Sequence, residues 1–341
     1  MIKRYILFLF IVGGLSGLHI NSNRLNAQDP HFSQFYANPL YLNPAFAGTN
    51  VCPRVIMNYR NQWTTIPGAF VTYNAGYDQY FQKIQGGIGA IVMSDRAGEG
   101  ALTYTSAGLM YAYHLPVGRA HNINFSLQGT YYNKTLDWDK LTFGDMIDAK
   151  EGFIYQTNDS RPSEFVSYVD FSAGMLYYTE NFYAGFAAHH LAEPENSLYG
   201  GMGSSEVHYR KYTAHAGLRI PLTPSGRFRA EEDPYLFPAI IYMQQHTFHQ
   251  MNLGLYFQKT PIVVGAWFRN FIKDPAGGGM YDAVIVLVGF EYQKFKVGYS
   301  YDMTISQLGN ASGGAHEFSF TLKFECPRKP PKYKRIKCPA F

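Results

Sequence analysis

From residue 54 onward, apolar and polar side chains alternate with a period of two. In 316–324, Phe318, Phe320, Leu322 and Phe324 fall on one face, and Glu317, Ser319, Thr321 and Lys323 on the other. In 295–303, Phe295, Val297, Tyr299, Tyr301 and Met303 oppose Lys296, Gly298, Ser300 and Asp302. In 250–258, Met251, Leu253, Leu255 and Phe257 oppose Gln250, Asn252, Gly254, Tyr256 and Gln258. Successive side chains of an extended strand point to opposite faces, so this is the signature of a half-buried β-strand. No comparably long segment places apolar residues at i, i+3, i+4 and i+7.

The pattern predicts fourteen strands: 54–63, 69–81, 86–95, 101–114, 122–135, 168–179, 181–191, 208–220, 236–245, 249–258, 261–270, 281–291, 294–303 and 315–324. Most run about 10 residues or more, against about 5–6 for strands of soluble sheets and about 9–11 for tilted strands crossing a bilayer. The connections also sort by parity. The even ones are mostly tight (82–85, 116–121, 180, 259–260, 292–293; 221–235 is the exception), whereas long ones (136–167, 192–207, 271–280, 304–314) are odd. Short turns at one end and long loops at the other mark an outer-membrane barrel, and a soluble sandwich has no reason to sort its loops this way. The expected fold is an all-β, transmembrane, antiparallel up-and-down barrel of about 14 strands, with 136–167 and 192–207 outside the cell and both barrel ends of the chain in the periplasm.

Composition narrows the classes. Aromatic residues are 17% of the 341 and charged residues only 16%, which excludes a disordered chain. No stretch beyond residue 20 reaches the ~18–20 apolar residues of a membrane helix. The net charge of +4 gives no reason to expect nucleic acid. Lys3 and Arg4, the apolar run 5–18, and Leu25 and Ala27 at the −3 and −1 positions read as a signal peptide over 1–27, with a mature chain from Gln28. The competing reading is an uncleaved anchor. No Cys adjoins the cleavage point, so a lipoprotein is not expected. The remaining parts are an Asn/Pro-rich piece over 28–53, a barrel over 54–324 and a basic, Pro-rich tail over 325–341.

The piece after the signal reads Asp29-Pro30-His31-Phe32-Ser33-Gln34-Phe35-Tyr36-Ala37-Asn38-Pro39-Leu40-Tyr41-Leu42-Asn43-Pro44-Ala45-Phe46-Ala47-Gly48. It closely resembles the opening of the PorP/SprF family, membrane proteins of the Bacteroidetes type IX secretion system. Tyr59-Arg60-Asn61-Gln62-Trp63, Leu141-Thr142-Phe143-Gly144-Asp145 and Gly185-Phe186-Ala187-Ala188-His189-His190-Leu191 with Pro194 are similar to later blocks of that family. The resemblance implies an outer-membrane protein of protein secretion or gliding motility, acting without catalysis. The implied partners are secretion-machine proteins of the periplasm and outer membrane, a secreted surface protein such as an adhesin, and outer-membrane lipid. Asp29, Pro30, His31, Phe32, Ser33, Gln34, Phe35, Asn38, Pro39, Asn43, Pro44, Gly48 and His190 are the signature and partner-binding candidates. A solute porin of the same architecture is the alternative.

Nothing calls for a cofactor, a metal or catalysis. His189 and His190 are adjacent in a strand, so they are expected on opposite faces, with His190 a polar residue at the outer rim. His246 and His249 lack an acidic neighbour in sequence. Ser172 is expected to share the lumen with His215, but neither is marked as nucleophile or base. Gly277-Gly278-Gly279 lacks the lysine and the strand–helix context of a phosphate loop.

Asn38-Pro39 and Asn43-Pro44 force extended backbone before each proline, giving a fixed irregular path. The segment is expected as a strap or plug on the periplasmic rim, or as a docking surface. In the tail, Arg328, Lys329, Lys332, Lys334, Arg335 and Lys337 stand against Glu325 alone, so it is either a solvated basic tail or a contact for an acidic partner. Cys52 precedes the first strand and Cys326 follows the last. Neighbouring strands lie within disulfide reach, so a Cys52–Cys326 seam bond competes with Cys326–Cys338 and with three thiols. Under the seam bond, Cys338 is the odd cysteine and a candidate for an intermolecular bond. Phe318, Phe320, Leu322 and Phe324 on the last strand are the expected signal for barrel assembly.

Overall fold

The computed structural model describes residues 29–326 and Cys338, apart from positions 51, 69, 99–100, 119, 149, 160–162, 199–205, 224–232, 274–280 and 306–311. The signal segment, Gly277–Gly279 and the basic residues of the tail lie outside the described residues.

Fourteen long strands form one antiparallel barrel. They are β1 Arg54–Gln62, β2 Phe70–Phe81, β3 Gly86–Ala97, β4 Leu102–Pro116, β5 Asn122–Leu136, β6 Phe165–Tyr178, β7 Phe182–His189, β8 Lys211–Leu218, β9 Tyr235–Gln245, β10 Phe248–Lys259, β11 Ile262–Lys273, β12 Tyr281–Tyr292, β13 Phe295–Thr304 and β14 Ala315–Lys323. A two-residue piece, Ile220–Pro221, continues β8 along β9. Every strand pairs with the next in sequence, and β1 pairs with β14 from Arg54↔Lys323 to Gln62↔Ala315. Closure leaves no strand edge, the condition for a sheet to cross hydrocarbon. Among the described residues no helix is long and apolar enough to cross a membrane.

The outer face is apolar. Leu109 and Leu127 are each 69% exposed, and Phe171, Val286, Val288, Phe290 and Phe318 are about half exposed. Exposed apolar area on this scale has no counterpart on a soluble monomer and matches a lipid belt. One end of the barrel carries the connections 82–85, 179–181, 260–261 and 293–294 and both ends of the strand run; it is called here the turn end. The other, the loop end, carries 137–164 and 190–210, together with the tight β9–β10 turn. The 137–164 loop is folded on itself. Asp145 accepts hydrogen bonds from the Asn158 N–H (2.7 Å) and the Thr157 hydroxyl (3.0 Å), and a short ladder pairs Ile147–Asp148 with Gly152–Phe153.

Cys52 and Cys326 are joined by a disulfide across the β1/β14 seam at the turn end, with Cα atoms 4.5 Å apart. The Phe324 N–H donates to the Pro53 carbonyl (2.9 Å), extending the ladder toward that bond. Cys338 is buried in the turn-end half of the lumen, in one apolar cluster with Phe46 and Tyr183. That burial does not fit the exposed cysteine an intermolecular bond requires. The Cys52–Cys326 bond encloses 274 residues of sequence. On the chain-entropy model such a loop contributes on the order of 5 kcal/mol. Reduction, or Cys52→Ser, is expected to lower the guanidinium unfolding midpoint of the purified barrel; an unchanged midpoint would show that the ladder alone holds the seam.

Candidate functional site: a plugged lumen

Barrels of about eight strands fill their interior with their own side chains, and wider ones need something else. Here residues 29–50 occupy the lumen. Three short helical turns, Phe35–Ala37, Pro39–Leu42 and Pro44–Phe46, carry the segment from Asp29 near the loop end to Gly48 at the turn end. Pro39 and Pro44 each open a turn, where a missing N–H costs nothing. The segment therefore threads the barrel as a plug and is not a strap confined to the periplasmic rim. Its apolar side chains point several ways because the wall surrounds it. Phe35, Leu42 and Phe46 pack with Leu176, Phe237, Ile241, Trp267, Ile285 and Leu287, while Leu40 and Ala47 pack with Ile56, Ile91 and Met110 on another part of the wall.

Asn43 pins the middle. Its Oδ1 accepts from the Ala45 N–H (2.9 Å), and its Nδ2 donates to the carbonyls of Met175 (3.1 Å) and Phe186 (3.3 Å). Gly174 makes room for it: a Cβ there would lie 2.1 Å from Asn43 Oδ1. Lower down, Gly48 adopts φ +71° with its N–H on Asp78 (2.9 Å), against Gly87, where a Cβ would meet the Ala47 carbonyl at 2.1 Å. The Asn38 amide oxygen accepts from Asn74 (3.0 Å).

A buried ionic network fastens Ser33 and Gln34. Glu317 accepts from the backbone N–H of Ser33 (2.6 Å) and Gln34 (3.1 Å), and Asp302 accepts from the Ser33 hydroxyl (2.5 Å). Arg60 bridges both acids, to Asp302 at 2.9 Å and Glu317 at 3.2 Å, and Arg269 also reaches Asp302. Buried charges are tolerated only when paired and hydrogen-bonded, and every charge here has both.

Asp29 sits in a second cluster at the loop end. His190 Nε2–H donates to Oδ2 (2.9 Å), His208 Nε2–H to Oδ1 (2.7 Å), Lys211 Nζ to Oδ2 (2.5 Å) and Gln245 Nε2 to Oδ1 (3.2 Å). His190 lies just past β7 at the loop end, but it is buried and turned into the lumen. β7 ends at His189, and His190 turns to φ +59°, so the strand alternation stops and both imidazoles are buried. Its Nδ1–H donates to Asp170 (2.8 Å), so a protonated ring links two carboxylates. The His208 Nδ1 accepts from the Tyr168 hydroxyl (2.9 Å), which fixes the neutral Nε2–H tautomer. Three ligand atoms of Asp29, His190 and His208 lie within 4.8 Å of one another. The two imidazoles, however, are stacked, with centroids 3.6 Å apart and planes 25° apart. Near-parallel lone pairs do not converge on one tetrahedral ion, but parallel N–H groups fork onto the two oxygens of a carboxylate.

Burial by itself would raise the Asp29 carboxyl, but His190, Lys211 and His208 outweigh it and hold it well below the usual carboxylate range. Burial by itself would lower His190, but Asp29 and Asp170 raise it above the ordinary imidazole value. Burial keeps His208 low despite Asp29. The signs follow by linkage. The Asp29 contribution is present above the unfolded carboxylate value and is lost as pH falls through its depressed folded pKa. The His190 contribution is fully present below about 6.5 and is lost as pH rises through its raised folded pKa. The difference in melting temperature between the wild type and Asp29→Asn is expected to stay flat from about pH 4 to 6.5 and to shrink above that window. A difference that grows with pH above 7 would contradict the assignment.

The other candidates fall as follows. The Pro30 carbonyl accepts from the Tyr41 hydroxyl, Phe32 packs edge-on against Tyr41, and His31 contacts Gln250 (3.2 Å). Ser172 meets His189 (3.3 Å), not His215, which stacks on Phe46. His249 contacts the Tyr242 hydroxyl (2.8 Å). The polar partners of the plug, Arg60, Asp302, Glu317, His208 and Lys211, were not singled out from the sequence. Their signal was charge within long alternating strands, where the lumen is the only face that accepts it.

A closed antiparallel barrel with an apolar outer belt defines an outer-membrane β-barrel protein, here with its lumen occupied by its own N-terminal segment. Residues 24–322 match the family model described as type IX secretion system membrane protein PorP/SprF, and the chain belongs to that family. The family is of a non-enzymatic kind. The blocks 29–48, 59–63 and 185–191 that carry the resemblance meet in the lumen, through Ser33–Arg60, Asn43–Phe186 and Asp29–His190. No match is found among curated proteins. Among solved structures the chain is similar to the outer membrane protein Omp33 of Acinetobacter baumannii (9% identity, 80% of this chain and 99% of that one, TM-score 0.41). It is also similar to the KdgM porin (6%, 80% and 99%, 0.36) and to a mutant of the Rh. blastica porin (7%, 80% and 99%, 0.34).

Proposed function

We propose that this protein serves type IX secretion as a closed scaffold, working through protein contacts at the two ends of the barrel and not by catalysis or solute passage. The occupied lumen carries the reading: residues 29–50 fill the space a porin leaves to water and are tied to the wall by two buried polar networks. With conduction removed, the ends remain. The turn end, with the seam disulfide and the tail, faces the periplasm and its secretion-machine proteins. Residues 1–27 are the export signal. The loop end faces outward and receives a secreted surface protein of the adhesin kind. In support, the 137–164 loop leaves Phe153 61%, Tyr155 55%, Ile147 51% and Ile154 50% exposed beyond the strands, apolar area of the kind that marks protein contacts.

Affinity purification from outer membranes, with mass spectrometry of what co-purifies, tests the reading. Type IX components and one secreted protein are the expected partners; a barrel recovered alone after cross-linking refutes it. Protease treatment of intact cells is expected to cut within 137–164 and 192–207 and to spare 325–341. Cleavage or labelling of the tail on intact cells would invert the topology.

A further inference from the structure

We propose that the wall cradle of His190, His208, Lys211 and Gln245 is a carboxylate-binding site in its own right, which Asp29 fills from within the same chain and which takes a free carboxylate when that side chain is withdrawn. The inference rests on the plugged-lumen reading and deepens it.

All four donors belong to the wall. His190 follows β7, His208 precedes β8, Lys211 opens β8 and Gln245 ends β9. The wall also holds the orientation of three of them. Asp170 fixes His190, Tyr168 fixes His208, with Tyr104 3.2 Å from the same ring nitrogen, and the Tyr209 carbonyl accepts from Gln245 (3.2 Å). The His208 backbone N–H is held by the Pro194 carbonyl (2.9 Å). The Asp29 side chain contributes to none of these contacts, so truncating it leaves His190, His208 and Gln245 in place; the Asp29 N–H also reaches Gln245 Oε1 (3.4 Å), and Lys211 stays over the Tyr41 ring (4.8 Å).

Charge then demands an anion. Both ring nitrogens of His190 face carboxylates, so it is cationic. Without Asp29, the Lys211 ammonium loses the carboxylate it pairs with, nearly out of water, while Asp170 stays on His190. Such a charge is costly unless paired. Shape selects the anion. Two stacked imidazoles offer parallel N–H groups, one per oxygen, and Lys211 and Gln245 approach the same two oxygens from the side. A planar carboxylate accepts all four, whereas a spherical halide has a single centre. Room is present as well. Cavities of about 50 and 30 Å³ adjoin Asp29, bordered by Tyr41, Lys211 and Phe248 on one side and by Tyr104, Tyr132 and His189 on the other. Truncation of Asp29 would merge its volume with these and admit formate or acetate.

The test is chemical rescue of the purified full-length barrel. Asp29→Gly and Asp29→Ala are expected to melt several degrees below wild type in chloride. Acetate or formate at equal ionic strength is expected to restore at least half of the loss, saturably. Wild type and Asp29→Asn, whose cradles are filled, should not respond. Asp29→Gly combined with His208→Ala should lose the response. If either truncation fails to refold in chloride, refolding in acetate is the same result. An equal acetate effect in the His208→Ala combination, or no effect in both truncations, overturns the proposal. Channel steps from the intact protein in planar bilayers would instead overturn the plugged-lumen reading and leave an acetate response, if observed, standing.

Discussion

Deletion of residues 29–48 is expected to turn a silent barrel into a conducting one. Fourteen strands enclose more space than their own inward side chains fill, and wider barrels of this type carry water. The segment fills that space with Phe35, Leu40, Leu42 and Phe46, all buried against the wall. Cys52 lies outside the deletion, so the seam disulfide survives it. The cost is exposure of the wall's own apolar patch, Phe237, Ile241, Trp267, Ile285 and Leu287. Each buried side chain of this size stabilises by about 1.5–3 kcal/mol, so the deleted barrel should also unfold at clearly lower denaturant. Planar-bilayer recordings decide: no steps from intact protein and discrete steps from the deletion are expected. A deletion variant that inserts normally and stays silent would show that something other than the plug closes the lumen.

Arg60→Met is expected to be the most damaging single substitution in the lumen. Arg60 is 3% exposed and holds Asp302, Glu317 and the Ser33 hydroxyl together. Removing it leaves Glu317 without its cation in a poorly solvated place and Asp302 with Arg269 alone, at about 3–5 kcal/mol. Glu317 and Asp302 are the wall groups that hold Ser33 and Gln34, so the upper plug should loosen with them. Arg60→Lys should recover only part of the loss, because an ammonium does not reproduce the fork onto two acids. Denaturant titration of the purified barrel measures this. A loss below about 1 kcal/mol, the range of surface ion pairs, would mean that water reaches the network.

The strands were legible because alternation is a local property. β10, β13 and β14 announce themselves in residues two apart, and the structure bounds all fourteen within three residues of the expected limits. The parity of the connections made the membrane barrel readable from the same pattern. The plug was not legible in this way. Phe32, Phe35, Leu40, Leu42 and Phe46 follow neither a period of two nor of 3.6, since a segment packed on all sides has no single buried face. One clue was present in β12, where Ala283, Ile285 and Leu287 point inward while Val286, Val288 and Phe290 point outward. A strand apolar on both faces has lipid on one side and cannot have bulk water on the other. The alternation runs to 191, but β7 ends two residues earlier at His189, and a single left-handed residue turns His190 into the lumen.

The sequence by itself determined that this chain alternates into fourteen membrane-length strands, that its turns and loops segregate to opposite ends, and that its blocks resemble one secretion family. Each follows from residues within about a dozen positions of one another, where backbone geometry dictates which way a side chain points. Tertiary structure alone decided what fills the barrel. Ser33 meets Glu317 across 284 residues, and Asp29 meets Lys211 across 182. Such contacts exist only after the wall has closed, because closure excludes water from the lumen, and without water each polar group inside must find its partner in the protein.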